Sequence, residues 1–170
     1  YLAIDLLKAI PEKDRTYKTF FGGVFATYAA NKIIQNDLVD YVCRGEGEGA
    51  VVEMANALCA GGRIDQIKNC TVKGDGNIFR NNMRPPIDID SVPIPDWDLF
   101  ESGSLYRPMQ GKIWRAVGFE TQRGCPYTCT FCNSPSNNVE YKAETGGKFH
   151  RKKSIGRMKK ELDFLVKKYD

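Results

Sequence analysis

Three cysteines within eight residues, Cys125, Cys129 and Cys132, stand in the run Arg123-Gly-Cys-Pro-Tyr-Thr-Cys-Thr-Phe-Cys-Asn133 and constrain this chain more than any other feature. The spacing is Cys-x3-Cys-x2-Cys. A loop of about ten residues that returns three soft sulfur ligands to one point suits a metal that prefers thiolate, either an iron-sulfur cluster or zinc. Structural zinc is closed by four protein ligands, usually as two pairs, and this neighbourhood supplies no second pair. A 4Fe-4S cluster held by three cysteines keeps one iron open. The competing reading, ordinary thiols of a reducing cytoplasm, has the tight clustering against it.

The rest of the composition narrows the setting. The chain is 42% hydrophobic and 27% charged, and no apolar run approaches the ~18 residues that span a membrane. No secretory signal appears. Three further cysteines, Cys43, Cys59 and Cys70, are scattered in apolar contexts and read as core residues. Such usage argues against a disulfide framework and for a reducing, cytoplasmic compartment. Net charge is +4, with much of the excess between residues 142 and 168, where Arg151, Lys152, Lys153, Arg157, Lys159 and Lys160 recur. In the same stretch Ile155, Met158, Leu162, Leu165, Val166 and Tyr169 fall at helical spacing behind Ser154, a suitable N-cap. The basic residues then form a solvated face, and a nucleic-acid site would want aromatics or a binding motif beside them.

Upstream, strand and helix alternate. Residues 1–10 read as the end of an amphipathic helix stopped by Pro11. Residues 16–21 read as a short strand running into Gly22-Gly23, residues 28–35 as a helix, 38–43 as a short apolar strand, and 50–59 as a helix. Between the last two lies Arg44-Gly-Glu-Gly-Glu-Gly49. This alternation predicts an α/β fold with a parallel, doubly wound sheet. In such sheets ligands bind at the carboxyl ends of strands, where glycines let a cofactor approach the backbone. Glycines there also serve as plain turn-makers.

At the cysteine loop the chain resembles the radical S-adenosylmethionine (SAM) superfamily, whose signature is this spacing with an aromatic, here Phe131, before the last cysteine. The resemblance implies that Cys125, Cys129 and Cys132 hold a 4Fe-4S cluster. It also implies that the open iron chelates the amino and carboxylate groups of SAM, and that one electron from the cluster breaks the sulfonium to a 5'-deoxyadenosyl radical. An electron donor such as flavodoxin or ferredoxin is then a partner, and Phe131 packs near the adenine. The alternative for Phe131 is a ring that fills the space beneath the loop.

Three further stretches match, in order, the class of that superfamily in which a cobalamin-binding, Rossmann-like domain precedes the barrel. They are Gly22-Gly23 after a strand, Val39-Asp40-Tyr41-Val42-Cys43-Arg44-Gly45-Glu46-Gly47-Glu48, and Ile94-Pro95-Asp96-Trp97-Asp98-Leu99-Phe100. By this resemblance Gly22 and Gly23 lie along the nucleotide tail of cobalamin, and Gly45, Glu46, Gly47 and Glu48 lie at the same edge. The acidic side chains have a second reading, as caps of the following helix. One element departs from the class: the Asp-x-His-x-x-Gly motif that supplies a histidine below cobalt in many cobalamin proteins does not occur. The only histidine, His150, reads as a surface residue near a helix start.

The expected organisation is residues 1–60 as the C-terminal part of the cobalamin-type domain, 61–112 as a linker, and 113–170 as the start of a radical SAM partial barrel. The linker holds a hairpin around Gly74-Asp75-Gly76, a proline-stiffened stretch, and Trp97, Leu99 and Phe100 as its packing points. Residues 113–121 would be the first barrel strand, the cysteine loop would follow at its carboxyl end, and residues 134–147 would be a mobile loop. A chain that opens on Tyr1 and closes on Asp170 within a helical pattern reads as a piece of a larger enzyme, too short for a barrel of ~200 residues or more. The expected function is cleavage of SAM in a cobalamin-dependent methyltransferase-type parent acting on a small-molecule or peptide substrate. Two rivals are an electron-transfer module with a fourth ligand such as Cys70, and a zinc-stabilised nucleic-acid-binding module.

Overall fold

The structure, a computed structural model, describes residues 2–74 and 76–169, so Tyr1, Asp170 and the turn position Asp75 of the expected hairpin lie outside the described residues. The chain divides into two compact units, one ending at Pro85 and one beginning at Pro86.

The first unit runs α1 (Leu2–Ala9), β1 (Phe20–Phe21), α2 (Val24–Ile33), β2 (Tyr41–Cys43), α3 (Glu48–Ala60), β3 (Cys70–Gly74) and β4 (Asn77–Arg80). Its four strands lie in the order β1-β2-β3-β4. Successive side chains of a strand point to opposite faces, and β2 is buried on both. Tyr41 and Cys43 enter a cluster with Ala50 and Met54 of α3. Val42 enters a second cluster with Ile4 of α1 and Ala26 and Ala30 of α2. Helices therefore cover both faces, as the alternation predicted.

The sheet is not wholly parallel, which corrects the expectation. Phe20 and Phe21 pair parallel with Tyr41 and Val42, but β3 runs antiparallel to β2, and β4 antiparallel to β3. The connection explains the reversal. Residues 61–69 lie between α3 and β3, and extended they can retrace the roughly 20 Å that a 13-residue helix covers. The chain thus re-enters beside the end of β2, and Cys70 stands opposite Cys43. The hairpin expected in the linker is β3 with β4, and it completes this sheet.

The second unit holds a hairpin of β5 (Tyr106–Met109) and β6 (Lys112–Arg115), a two-stranded ladder of β7 (Gln122–Arg123) with β8 (Arg151–Lys152), and the helices α4 (Ser134–Thr145) and α5 (Ile155–Tyr169). Residues 113–121 do not form one strand. Their first part belongs to the β5–β6 hairpin and their last part leads into β7, and both ladders are antiparallel. The core gathers Leu105, Leu165 and Tyr169, with Ile94, Trp97, Val117 and Phe119 against them. Of the expected packing points Trp97 does pack, whereas Leu99 is 82% exposed.

Within residues 134–147, where a mobile loop was expected, Ser134–Thr145 form a helix. Pro135 sits in the first turn and Gly146 closes the helix in the left-handed region at φ 68°. Tyr141 supplies the single buried anchor, its ring 5.4 Å from that of Phe149. One apolar anchor between polar neighbours leaves no periodicity to read. In α5 the Arg157 N–H donates to Ser154 Oγ at 3.1 Å, the expected cap. Among the described residues no helix is long and apolar enough to cross a membrane.

Candidate functional site

Because β1 and β2 are parallel, the turns that follow them share one edge of the sheet. Gly22 and Gly23 follow β1, and residues 45–48 follow β2. A single hydroxyl ties these turns together. Thr27, buried in the first turns of α2, donates to Gly23 O at 3.1 Å and accepts from Gly45 N–H at 3.0 Å. From the other side Asn69, fully buried, donates through Nδ2 to Glu46 O at 2.7 Å and accepts from Arg84 N–H at 2.6 Å. Asn69 has φ 71°, a conformation that asparagine tolerates better than most residues.

The glycines themselves divide. Gly23 at φ 89° and Gly45 at φ 69° need the freedom that only glycine has without strain. A Cβ added at Gly22 would meet nothing within 4 Å, and Gly22 opens onto a groove of about 530 Å³ along α2, walled by Phe21, Phe25, Ala26 and Ile33. Gly47 is the N-cap of α3 and makes no side-chain cap bond, while Glu48 lies in the first turn, where a carboxylate meets the positive end of the helix dipole. Thr27 and Asn69 escaped the sequence reading. Neither stands in a motif, and only the fold brings them to the glycines.

The cysteine loop joins β7 to α4. Its entrance is tightly specified. Gly124 has φ 77°, and a Cβ there would strike the backbone carbonyl of Phe149. The chain returning at residues 149–150 can pack against β7 only because this position lacks a side chain. Beyond it Cys125 is half-buried, Cys129 and Cys132 are exposed, and none is in a disulfide. The Cys132 N–H donates to Cys129 O at 3.2 Å. Hydrogen bonds from Ser134, its hydroxyl foremost and then its N–H at 3.4 Å, favour the Cys132 thiolate and hold its pKa below the usual thiol value. Phe131 is 92% exposed, so the ring fills no space beneath the loop.

Three free thiols on one short loop are the donor set that a thiolate-loving metal takes, and the residues fit an iron-sulfur cluster in chemistry. Among the described residues no three His, Cys, Asp or Glu side chains converge closely enough to hold a metal ion. The three thiols thus share a loop but not a common point. Residues 126–133 are all exposed, so their side chains can turn inward without disturbing a core.

Support for the loop comes from behind β7. The Lys153 N–H donates to Thr121 O at 2.9 Å, and the Lys153 ammonium, buried, pairs with buried Glu161 at 2.7 Å. Arg157 joins the same carboxylate at 3.5 Å and donates to Val92 O at 2.5 Å. Arg123 makes a forked pair with Glu120, at 3.1 and 3.0 Å. The solvated basic face expected in this segment holds for Lys152, Lys159 and Lys160, but not for Lys153. His150 is half-buried, its Nε2 3.3 Å from Gln122 Oε1. Of the scattered cysteines, Cys43 and Cys70 are core residues as expected and Cys59 is exposed.

No protein-family model and no solved structure matches the chain. Curated relatives do. The chain is 31% identical to an uncharacterized methyltransferase of Pyrococcus horikoshii over 87% of its own length and 30% of the relative's. It is 30% identical to the anaerobic magnesium-protoporphyrin IX monomethyl ester cyclase of Rubrivivax gelatinosus over its full length and 30% of the cyclase. It is 29% identical to the hopanoid C-3 methylase of Methylococcus capsulatus over 77% of the chain and 25% of that protein. The chain thus spans less than a third of the length of these relatives, all of them named as enzymes.

Proposed function

We propose that the chain belongs to the radical SAM superfamily, in the class with a cobalamin-binding-type domain, and that it contributes the cluster loop and part of the cobalamin-type domain to a longer enzyme, a reading that its likeness to the methyltransferase, the cyclase and the methylase supports. The observation that carries the proposal is the Cys-x3-Cys-x2-Cys loop itself, with all three thiols free and none sealed in a core. Cys125, Cys129 and Cys132 hold a 4Fe-4S cluster by their thiolates. When bound, that cluster and SAM supply one-electron cleavage of a sulfonium, chemistry that belongs to the cofactors.

The chain's own residues do the holding. Ser134 stabilises the Cys132 thiolate, so this ligand reaches its binding form at lower pH than a free thiol does. Gly124 sets the loop against residues 149–150, and the exposure of the Phe131 ring supports its packing on a flat heteroaromatic such as adenine. At the sheet edge of the first unit Gly22, Gly23, Gly45, Glu46, Gly47 and Glu48 form the cobalamin-facing turns. Gly22 there borders an apolar groove that can take part of the ligand. Methyl transfer, named in the methyltransferase and the methylase, is the reaction class we assign, and ring closure, named in the cyclases, is the second.

Anaerobic reconstitution with iron and sulfide should give a brown protein with about four irons per chain, and the Cys129→Ala variant should lose them. SAM should perturb the cluster's spectrum, which a cluster with four protein ligands would not allow. A colourless protein that holds one zinc instead overturns the assignment.

A further inference from the structure

The mechanism above leaves two buried thiols without a task. Cys43 ends β2 and Cys70 opens β3, and they stand directly opposite each other in the antiparallel ladder. The Arg44 N–H donates to Asn69 O at 2.8 Å, one residue beyond the pair on each strand. Cys43 and Cys70 are therefore a non-hydrogen-bonded pair, the position at which facing Cα atoms approach to about 4.5 Å and side chains lie closest. That separation falls within the roughly 4.4–6.8 Å range that a disulfide spans, at its short end. Both side chains point into the same cluster, against Ala50 and Met54.

We propose that Cys43 and Cys70 are a cross-strand disulfide site, oxidised reversibly by a small peroxide, that pins β2 to β3 beneath the turn at residues 45–48. The thiols are already engaged with each other. A hydrogen bond from Cys70 favours the Cys43 thiolate, and the same bond, with burial, pushes the Cys70 thiol up. Both sulfurs are sealed, Cys43 at 1% and Cys70 at 0% exposure, so an oxidant reaches them only as the half-buried turn at Gly47 opens. A small peroxide needs less opening than a bulky disulfide such as oxidised glutathione.

The chemistry balances on two thiols and one peroxide. The Cys43 thiolate displaces hydroxide from the peroxide and becomes a sulfenic acid, and that hydroxide leaves as water with the thiol's proton. The Cys70 sulfur then attacks the Cys43 sulfur, its proton departs with the hydroxyl as a second water, and the S–S bond closes. Two electrons pass from the sulfurs to the peroxide. A small dithiol reverses the bond by exchange, which a short cross-strand geometry favours. The consequence falls on the turn. Cys43 Sγ lies 3.9 Å from Glu46 O, and Asn69, next to Cys70, holds that same carbonyl.

The test is a cysteine map of the whole protein, exposed to graded hydrogen peroxide, quenched in acid, alkylated and digested without reductant. A peptide linking Cys43 to Cys70 should form before either is linked to exposed Cys59, whatever the loop cysteines do, and dithiothreitol should release it. Amide exchange at residues 45–48 should slow by about tenfold on oxidation, and should not respond in Cys43→Ser or, should that variant fold poorly, in Cys70→Ala. Cys43 and Cys70 both recovered as alkylated thiols after Cys59 has been consumed overturns the proposal, as does either of them linked elsewhere. The map is read irrespective of iron content, so failure here and failure of the cluster assignment are separate results.

Discussion

The turn at residues 45–48 and the loop at residues 125–132 each follow a strand and precede a helix, yet one is held from within the fold and the other stands in solvent. Beneath the turn, the buried side chains of Thr27 and Asn69 bond its backbone at 3.0 and 2.7 Å. In the loop, two cysteines and Phe131 are exposed, and the constraint lies at its ends, at Gly124 and in the ladder of β7 with β8. Buried polar networks fix one geometry because any other leaves groups unsatisfied. An exposed run of thiols takes its geometry from what it binds, because the ligand's free energy then serves as ordering free energy. The turn is thus preformed, and the loop is framed only at its ends.

The largest effect should come from the frame. Glu161→Ala strands Lys153 as a buried cation without its partner, and breaking such a pair costs about 3–5 kcal/mol. Urea denaturation should show that loss, and amide exchange should rise at Gln122 and Arg123. Replacing the pair, Lys153→Met with Glu161→Leu, should recover part of the stability, since Arg157 still loses that carboxylate. If the single variant leaves β7 as protected as before, the loop is not framed from behind and the comparison fails. Next comes Asn69→Ala. It removes two hydrogen bonds from a buried site and puts alanine at a positive φ, for a loss of about 2–4 kcal/mol. Asn69→Gly should return only the backbone share, roughly 1 kcal/mol.

The same contrast explains what could be read in advance. The cysteine spacing, Gly22-Gly23 and Gly-Glu-Gly-Glu are short local patterns, and local patterns survive without a fold. Helix α5 was legible too, because Ser154 and the 3.6-residue apolar period belong to one segment. Strand direction was not. The alternation of β1, α2, β2 and α3 says nothing about which end of β2 the chain returns to, and that depends on the length of residues 61–69. Helix α4 was lost because one buried tyrosine makes no period, although Pro135 and Gly146 mark both its ends. Lys153 was read as a solvated charge because its partner Glu161 lies on the following helix, and only packing turns that pair inward.

Thr27→Val keeps the shape and removes the hydroxyl that joins the two glycine turns, and a loss of about 1 kcal/mol follows from one half-buried N–H left without its acceptor. Thr27→Ser should restore it. Amide exchange at Gly45 is the sharper reading, since a purely steric role for Thr27 would leave it unchanged.

The smallest effect separates the turn from the strand that carries it. Asp40 anchors the entry of β2, where its carboxylate accepts from Thr19 N–H at 2.9 Å and pairs with Lys18 at 3.1 Å. Burial pushes this carboxyl up, but the bonds from Thr19 and Lys18 outweigh it and hold the pKa below the usual carboxylate value. A group whose pKa is lower in the folded state gives stability that is fully present above its unfolded pKa, near 3.9, and lost as pH falls through the folded value. Asp40→Asn should therefore cost about 1 kcal/mol at neutral pH, a modest figure because the group is partly solvated, and the gap to the parent should close below about pH 4. Amide exchange at residues 45–48 should stay as it was. A change there would mean that the turn is held through β2 as a whole and not by Thr27 and Asn69, and the preformed site would have to be redrawn to include the strand.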